Sequence, residues 1–200
     1  MSYEYPQVSD PDLQAKLYQK REFYFQKVAP RFKPYTEDEI AEYRNSVCGS
    51  EFKLQSHQTF LANFINPNTP YRGVIIFHGT GSGKTCAAIS IAEQFKEQVE
   101  KYNTKIYVLL PGPILKEQFK TELVTICTDN AYINNRDEFK YMSPEEKKKA
   151  KKDAIYSAMK YYTIISYKNF HKRVLGEKLK EATITKDKKR KLLYKTNDEG

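Results

Sequence analysis

The amino-acid sequence predicts an α/β fold with a parallel sheet, preceded by a helical extension at the N-terminus. Three short apolar runs, at residues 74–77, 105–110 and 162–166, alternate with segments that have the apolar periodicity of helices. Continuous apolar runs are typical of parallel strands covered by helices on both faces. The alternation favours right-handed crossovers between neighbouring strands. We therefore predict an extension over residues 1–50 and a domain over residues 51–200.

The extension is predicted to be helical and to pack against the domain. Leu13, Leu17 and Phe25 could line one face of a helix. Thr36 and Glu39 have the spacing of a capping box, which predicts that a helix begins just after Thr36. Six of the sixteen tyrosines lie in this extension. We expect these tyrosines to contribute to the packing.

The domain is predicted to begin with a short helix capped by Ser56, which the turn residues 66–70 terminate. The run at 74–77 is the first predicted strand, and a glycine-rich turn leads from it into a helix. The apolar stripe of that helix consists of Ala88, Ile91, Ala92, Phe95 and Val99. A proline-started helix follows the second strand, with a stripe of Leu115, Phe119 and Leu123. After a polar insertion, residues 162–166 form the third strand.

Charge is distributed unevenly along the chain. The net charge is +9, and 40% of the 200 residues are hydrophobic, which is enough for a core and argues against wholesale disorder. Residues 141–200 carry 17 basic and 8 acidic side chains, so the whole excess lies there. Its densest runs are residues 147–152 and 186–191. Two interpretations stay open, a solvated basic face and a border of a nucleic-acid groove.

Several classes of protein are disfavoured. The longest apolar runs are too short to span a membrane, and the polar N-terminus lacks the apolar core of a signal peptide. The cysteines Cys48, Cys86 and Cys127 are odd in number and lack metal-type spacing. We therefore predict no disulfide framework, no zinc site and no membrane partner. A reducing, cytosol-like compartment fits this cysteine usage best.

The strongest functional signal is the sequence HGTGSGKT at residues 78–85, between the first predicted strand and a helix. Closely spaced glycines let backbone N–H groups surround an anion, and a helix N-terminus adds its positive dipole end. Lys84 is placed to reach terminal phosphates, and Thr85 to ligate Mg²⁺. His78 stands where the full pattern has glycine. The predicted nucleotide-binding residues are Gly79, Thr80, Gly81, Ser82, Gly83, Lys84 and Thr85, and of these Lys84 and Thr85 are the catalytic candidates.

Three weaker signals stand at consistent distances from this loop. Gln58 lies upstream, and its amide matches the hydrogen-bonding edge of adenine, although it could equally be an exposed helical glutamine. A second signal follows the second strand and a third follows the last strand, at the sheet edge where ligands bind. The alternatives are a packing helix and a strand-end turn. The residues of these two signals, which we predict to contact nucleic-acid phosphates, are Pro111, Gly112, Gln118, Ser166 and Tyr167.

Together these residues resemble the first RecA-like domain of superfamily-two helicases and translocases. Residues 79–85 are similar to motif I, Gln58 to the upstream adenine-reading glutamine, and Ser166-Tyr167 to motif Ib. Pro111, Leu115 and Gln118 match the P-x-x-x-L-x-x-Q form of motif Ia. Residues 60–89 most resemble helicases of large nucleocytoplasmic DNA viruses, a group that includes the poxvirus-type early transcription factor ATPases.

This resemblance implies a P-loop NTPase fold and several ligands. The implied cofactors are ATP and Mg²⁺, and the implied partners are DNA or RNA and the transcription machinery. A virion or a host cytoplasm would be the implied compartment. The expected function is the N-terminal part of an ATP-dependent nucleic-acid helicase or translocase. Two alternatives stay open, a non-helicase P-loop ATPase of the packaging or AAA type, and a nucleotide-binding interaction module without turnover.

Motif II of this family, an apolar strand that ends in an acidic pair, is not found in the sequence. The Asp-Glu pairs at 38–39, 137–138 and 198–199 do not end apolar strands. We therefore expect the chain to be part of a larger protein, in which motif II and a second RecA-like domain follow residue 200. On that expectation, residues 1–200 bind ATP weakly and hydrolyse it hardly at all.

Overall fold

The computed structural model describes residues 4–27, 36–48, 53–79 and 81–174. Helices dominate, and two short strands lie in the second half of the chain. The elements in chain order are α1 (Leu13–Leu17), α2 (Arg21–Tyr24), α3 (Glu37–Cys48), α4 (Ser56–Phe64), α5 (Lys84–Glu93), α6 (Lys96–Lys101), β1 (Ile106–Leu110), α7 (Pro113–Glu122), a π-helical turn (Leu123–Cys127), α8 (Arg136–Phe139), α9 (Pro144–Ala158), β2 (Tyr162–Ser166) and α10 (Tyr167–Val174).

The two strands form a parallel pair in which Ile106 lies opposite Tyr162 and Leu110 lies opposite Ser166. Helices α7, α8 and α9 form the connection between them. The second and third predicted strands and their parallel arrangement are therefore confirmed. Because the strands end in register, the residues that follow them leave the sheet at the same edge.

The first predicted strand does not form, and this prediction is wrong for the described structure. Residues 71–79 have no regular secondary structure, and Ile75 and Phe77 expose 95% and 97% of their surface. A strand requires a neighbour for its backbone hydrogen bonds. Among the residues that the structure describes, β1 and β2 pair with each other and leave residues 74–77 without a strand partner. Apolar composition indicates strand propensity, but it does not supply the partner.

The larger apolar cluster lies between α5, α7, the π-helical turn, α9 and the sheet. Ile89, Leu123, Val124 and Ala158 have no exposed surface. The predicted stripe of α5 is only partly right, because Ala88 is exposed while its neighbours Ala87 and Ile89 are fully buried. Helix α5 buries more than one face, which a single-stripe pattern does not anticipate.

The smaller apolar cluster joins the N-terminal extension to α4. Leu17 and Phe23 are buried there together with Ile65 and Tyr71. The Tyr71 hydroxyl donates a hydrogen bond to the carbonyl oxygen of Pro6 at 2.7 Å. The predicted packing of the extension is therefore confirmed.

The predicted single helical face in the extension is wrong, because the chain turns between α1 and α2. The turn brings Phe23 into the cluster and leaves Phe25 85% exposed. The capping box before α3 is confirmed, since the Glu39 N–H donates to Thr36 Oγ1 at 3.2 Å and the Thr36 N–H donates to Glu39 Oε2 at 3.0 Å. Helix α4 is capped by Gln55, one residue before the predicted Ser56.

The sequence predicts no disulfide framework, yet the structure contains a disulfide between Cys86 and Cys127, which the sequence analysis did not anticipate. They are 41 residues apart in the sequence, and no local motif connects them. The packing of α5 against the π-helical turn brings them together, which spacing along the chain does not reveal.

Two kinds of feature are absent from the described ranges. No helix there combines the length and the apolar character that crossing a membrane requires. The same ranges contain no group of three or more histidine, cysteine, aspartate or glutamate side chains that could hold a metal ion.

The π-helical turn provides a direct test of the core. We expect Leu123→Ala to lower the free energy of unfolding by about 2–5 kcal/mol, because Leu123 has no exposed surface and its truncation leaves a cavity. Leu115→Ala is the matched control, since Leu115 is 44% exposed. Urea unfolding followed by circular dichroism measures both. Equal losses in the two variants would contradict this assignment of the core.

Candidate nucleotide-binding site

A glycine loop, residues 78–83, leads into the N-terminus of α5. Gly81 and Gly83 have φ values of +80° and +74°, in the left-handed region that glycine adopts without strain. The Ala87 N–H donates to the Gly83 carbonyl at 3.0 Å, so the helix begins directly after the loop. The first N–H groups of a helix lack partners within it and form a ready anion site. Thr80, a predicted member of this site, lies outside the described residues.

Carbonyl groups of the loop hold the Lys84 side chain. Lys84 Nζ donates to the carbonyl oxygen of Gly79 at 2.8 Å and to that of His78 at 3.2 Å. The Ser82 hydroxyl donates to the same Gly79 oxygen at 2.8 Å. The lysine side chain therefore lies over its own loop. A phosphate could replace the neutral carbonyls as its hydrogen-bond acceptor, and that bond would be stronger because both partners are charged.

The loop offers open backbone and polar groups of the kinds that phosphates and Mg²⁺ bind. A Cβ atom added at Gly79 or Gly81 would meet nothing within 4 Å, so the space beside these backbone atoms is open. Thr85 lies half-buried in the first turn of α5 and offers a hydroxyl. Phosphates accept hydrogen bonds from backbone N–H groups and from an ammonium such as that of Lys84. Mg²⁺ takes oxygen ligands, which the Thr85 hydroxyl can supply. The residues present fit a phosphate group with Mg²⁺.

Gln58 is tied to the loop. It is 3% exposed, so the alternative of an exposed helical glutamine is wrong. Its Oε1 accepts from the Gln55 N–H at 2.8 Å, and its Nε2 donates to the Gly83 carbonyl at 3.0 Å. Both polar groups of the amide are thus engaged within the protein, where they fix the junction between the loop and α5. For Gln58 to contact adenine, it would have to give up one of these two hydrogen bonds. The adenine contact stays a prediction.

His78, which stands in a glycine position of the motif, places its ring beside His57 of α4. The ring packs edge-on against His57, with centroids 5.3 Å apart. His57 Nε2 and His78 Nδ1 are both buried without a hydrogen-bond partner. The histidine is accommodated by α4 rather than by the loop itself. The sequence contains both residues, but nothing in it indicates that they meet.

The residues that follow the two strands lie at one edge of the sheet. Leu110 pairs with Ser166 at the ends of the two strands. Pro111 and Gly112, which follow β1, and Tyr167, which follows β2, therefore lie just beyond that edge. Ser166 Oγ accepts a hydrogen bond from the Asn169 N–H at 3.3 Å, and Tyr167 is 57% exposed. The structure therefore brings four of the five predicted nucleic-acid residues together.

Gln118 is the fifth of these residues, and it lies apart from the other four. It is exposed in the second turn of α7, and its Nε2 donates to Glu122 Oε1 at 2.7 Å. The side chain therefore has a partner within its own helix. Its contact with nucleic acid stays a prediction.

A polar network links α5 to β2, and sequence reasoning missed it. Glu93 Oε1 accepts hydrogen bonds from the hydroxyls of Tyr132, at 2.8 Å, and Tyr162. Burial, together with the nearby carboxylate, raises the pKa of both phenols far above the ordinary value. Lys96 Nζ pairs with Glu93 Oε2 at 3.2 Å and lies 4.4 Å from the centre of the Tyr132 ring. No motif marks these residues, which meet only through the fold.

Acidic pairs occupy helices rather than strand ends in the described ranges. Asp38 and Glu39 lie in the first turn of α3, and Asp137 and Glu138 lie in α8. Pro111 follows β1 and Tyr167 follows β2. The strand ends that the structure describes therefore present no carboxylate pair that could activate water.

Comparison with known proteins identifies a family and several relatives. The family model described as type III restriction enzyme, res subunit (ResIII), matches residues 31–198. A protein of Acanthamoeba polyphaga mimivirus, provisionally named an ATP-dependent RNA helicase, is 46% identical over 188 residues, which is 94% of this chain and 16% of the relative. A second mimivirus protein with the same kind of name is 36% identical over 170 residues, or 83% of this chain and 27% of the relative.

A shorter match is found in African swine fever virus. Its early transcription factor large subunit homologue is 51% identical over 43 residues, or 22% of this chain and 4% of that protein. The chain thus spans 16% and 27% of the two mimivirus relatives. The resemblance to helicases of large DNA viruses is confirmed by these relatives. No solved structure matches the chain.

The junction of the loop and α5 can be tested with two glycines. We expect Gly83→Ala to abolish binding of Mg·ATP, because a Cβ there would lie 2.5 Å from Gln58 Nε2 in a backbone conformation that alanine resists. Gly73→Ala is the control, since a Cβ at Gly73 meets nothing within 4 Å. Isothermal titration calorimetry measures both. Wild-type affinity in Gly83→Ala would show that the junction is not as described.

Proposed function

Because the chain belongs to the type III restriction enzyme res subunit family, which has the P-loop NTPase fold, we propose that it is the ATP-binding part of an ATP-dependent nucleic-acid helicase or translocase. The observation that carries the proposal is the glycine loop, with Gly81 and Gly83 in left-handed conformations and Lys84 at the start of α5. The names of the viral relatives support the same function. Helicase or translocase activity is proposed for a longer protein that contains this chain.

The loop residues divide the work of binding the nucleotide. The N–H groups of the loop and of the first turn of α5 would hold the phosphates, and Lys84 would stabilise the charge on the terminal ones. Thr85 would ligate Mg²⁺, which neutralises phosphate charge when bound. Gln58 would keep Gly83 in place through the 3.0 Å hydrogen bond to its carbonyl. These roles are mostly positioning and charge stabilisation, which is what phosphoryl transfer asks of a protein.

Two surfaces support a nucleic-acid partner. The sheet edge presents Pro111, Gly112, Ser166 and Tyr167 beside the N-termini of α7 and α10. Helix α9 carries five lysines at residues 147–152, of which Lys148, Lys149, Lys151 and Lys152 are exposed. The first surface would position backbone phosphates, and the second would attract them.

The relatives also support a role in viral gene expression. The mimivirus relatives are named for RNA helicases, and the African swine fever virus relative is named for an early transcription factor. We extend the proposal to transcription in a virion or a cytosol-like compartment. ATP hydrolysis by the longer protein that nucleic acid stimulates would favour a helicase over a packaging or AAA-type motor. ATP hydrolysis of any kind would exclude an interaction module without turnover.

Lys84 tests the nucleotide site. We expect Lys84→Ala to weaken Mg·ATP binding by roughly tenfold to a hundredfold, because a charge-assisted hydrogen bond contributes about 1.5–3 kcal/mol. Lys101→Ala is the control, since Lys101 is an exposed lysine in α6. Fluorescence anisotropy with a labelled ATP analogue measures both affinities. Binding that Lys84→Ala leaves intact would refute the assignment of the loop.

The lysines of α9 test the nucleic-acid surface. We expect replacement of Lys148, Lys149, Lys151 and Lys152 by glutamine to weaken binding to single-stranded DNA and RNA. The slope of log affinity against log salt should flatten by roughly 0.7–0.9 for each lysine that contacts a phosphate.

A control variant removes the same charge elsewhere, through glutamine at Lys16, Lys20, Lys27 and Lys101. Its salt slope should stay close to that of the wild type. If both variants change affinity and slope alike, net charge alone explains the binding and α9 is only a solvated face.

A further inference from the structure

The disulfide lies directly beside the phosphate-binding residues. Cys86 follows Thr85 in the first turn of α5, and its bond to Cys127 reaches the last residue of the π-helical turn. The two Cα atoms are 4.9 Å apart, within the range of about 4.4–6.8 Å that native disulfides occupy. The loop is thus covalently tied to the core one residue after its Mg²⁺ candidate.

The π-helical turn that carries Cys127 is tightly packed. Leu123 and Val124, in the same π-helical turn as Cys127, have no exposed surface. The Thr128 hydroxyl donates to the Leu123 carbonyl at 2.6 Å and closes the turn. Cys86 and Cys127 are themselves 8% and 4% exposed. A bond to this turn therefore fixes the start of α5 to the best-packed part of the molecule.

A cavity gives small reagents access to the Cys127 side of the bond. It has a volume of about 450 Å³, and its lining includes Cys127 and Thr128 together with Ser90 and Glu93 of α5 and Thr59 of α4. The cavity is open to solvent, although most of its lining surface is apolar, so water and small oxidants can enter. The buried bond is therefore not sealed from solvent.

From these three observations we infer that Cys86 and Cys127 form a reversible redox site that controls the nucleotide-binding loop, and that its oxidised form binds Mg·ATP more weakly. The part of this inference that concerns ATP rests on the proposed function, whereas bond formation and its effect on the loop do not. In a reducing compartment, such bonds are usually transient and redox-sensing.

The oxidation balances with a peroxide as the oxidant. The Cys127 thiolate attacks a peroxide oxygen, the O–O bond breaks, and a sulfenic acid and one water form. The Cys86 thiolate then attacks the sulfenic sulfur, the S–S bond forms, and the hydroxide that leaves becomes a second water. The two sulfurs give up two electrons, and the peroxide takes them together with both thiol protons. A dithiol reductant reverses the step by thiol–disulfide exchange.

The loop geometry explains why oxidation would weaken binding. In the disulfide-bonded structure Lys84 Nζ is committed to the carbonyls of Gly79 and His78, and it must leave them to reach a phosphate. Either the side chain rotates or the first turn of α5 shifts. The bond at Cys86 removes the second route. Reduction restores it, so Lys84 and the first turn of α5 can reach a phosphate at lower cost.

The test compares peroxide-oxidised and dithiothreitol-reduced forms of the same protein. Alkylation and mass spectrometry count free thiols, and the oxidised form should lose two of the three. Hydrogen exchange should be slower at residues 81–87 after oxidation. The Kd for Mg·ATP should rise at least roughly fivefold, the lower end of common coupling between sites.

Variants assign these effects to the pair. Cys86→Ser and Cys127→Ser should each remove the difference between the two forms, and Cys48→Ser should keep it. Unchanged thiol counts, or equal loop exchange in the two forms, would overturn the inference, as would equal ATP affinity where ATP binds. If neither form binds ATP while the loop exchange still differs, the proposed function fails and the redox control of the loop stands.

Discussion

Burial of helix α5 between two apolar clusters is the constraint on which the candidate site depends. Ala87 and Ile89 have no exposed surface, and Ile89 belongs to the larger cluster. Ile91 and Phe95, at the end of the same helix and just beyond it, pack against the smaller cluster with the N-terminal extension. Because the glycine loop ends where this helix begins, packing at a distance from the loop decides where Lys84 and Thr85 lie.

The other end of α5 connects the site to the sheet. Glu93 accepts hydrogen bonds from Tyr162, the first residue of β2, and from Tyr132. Glu93 is partly buried, and a partly buried carboxylate without such partners would be costly. One helix thus carries the loop at its N-terminus, the disulfide in its first turn and the link to β2 in its last.

The sequence predicts those parts whose signals are local. The capping box at Thr36 and Glu39 needs only four residues, and the structure confirms it. The strands near residues 106–110 and 162–166 are continuous apolar runs, and covering helices make such runs strands of a parallel pair. The glycine loop is likewise a short motif whose conformation glycine itself permits.

Features that depend on distant partners were not predictable from the sequence. Residues 74–77 have the composition of a strand, yet strand formation depends on a neighbour that composition cannot specify. The bond between Cys86 and Cys127 and the contacts of Glu93 require α5 to meet segments some 40 to 70 residues later in the chain. Gln58 was found by its position in a motif, but its burial against Gly83 follows only from the packing of α4 on α5.

A crystal structure of the chain with Mg²⁺ and a non-hydrolysable ATP analogue tests the central claim most directly. The account predicts that the phosphates lie within the glycine loop at the N-terminus of α5. Lys84 Nζ should leave the carbonyls of His78 and Gly79 and contact a phosphate oxygen, and Thr85 should ligate the metal. An analogue bound elsewhere, or bound while Lys84 keeps its carbonyl partners, would contradict the claim that this loop is a phosphate site.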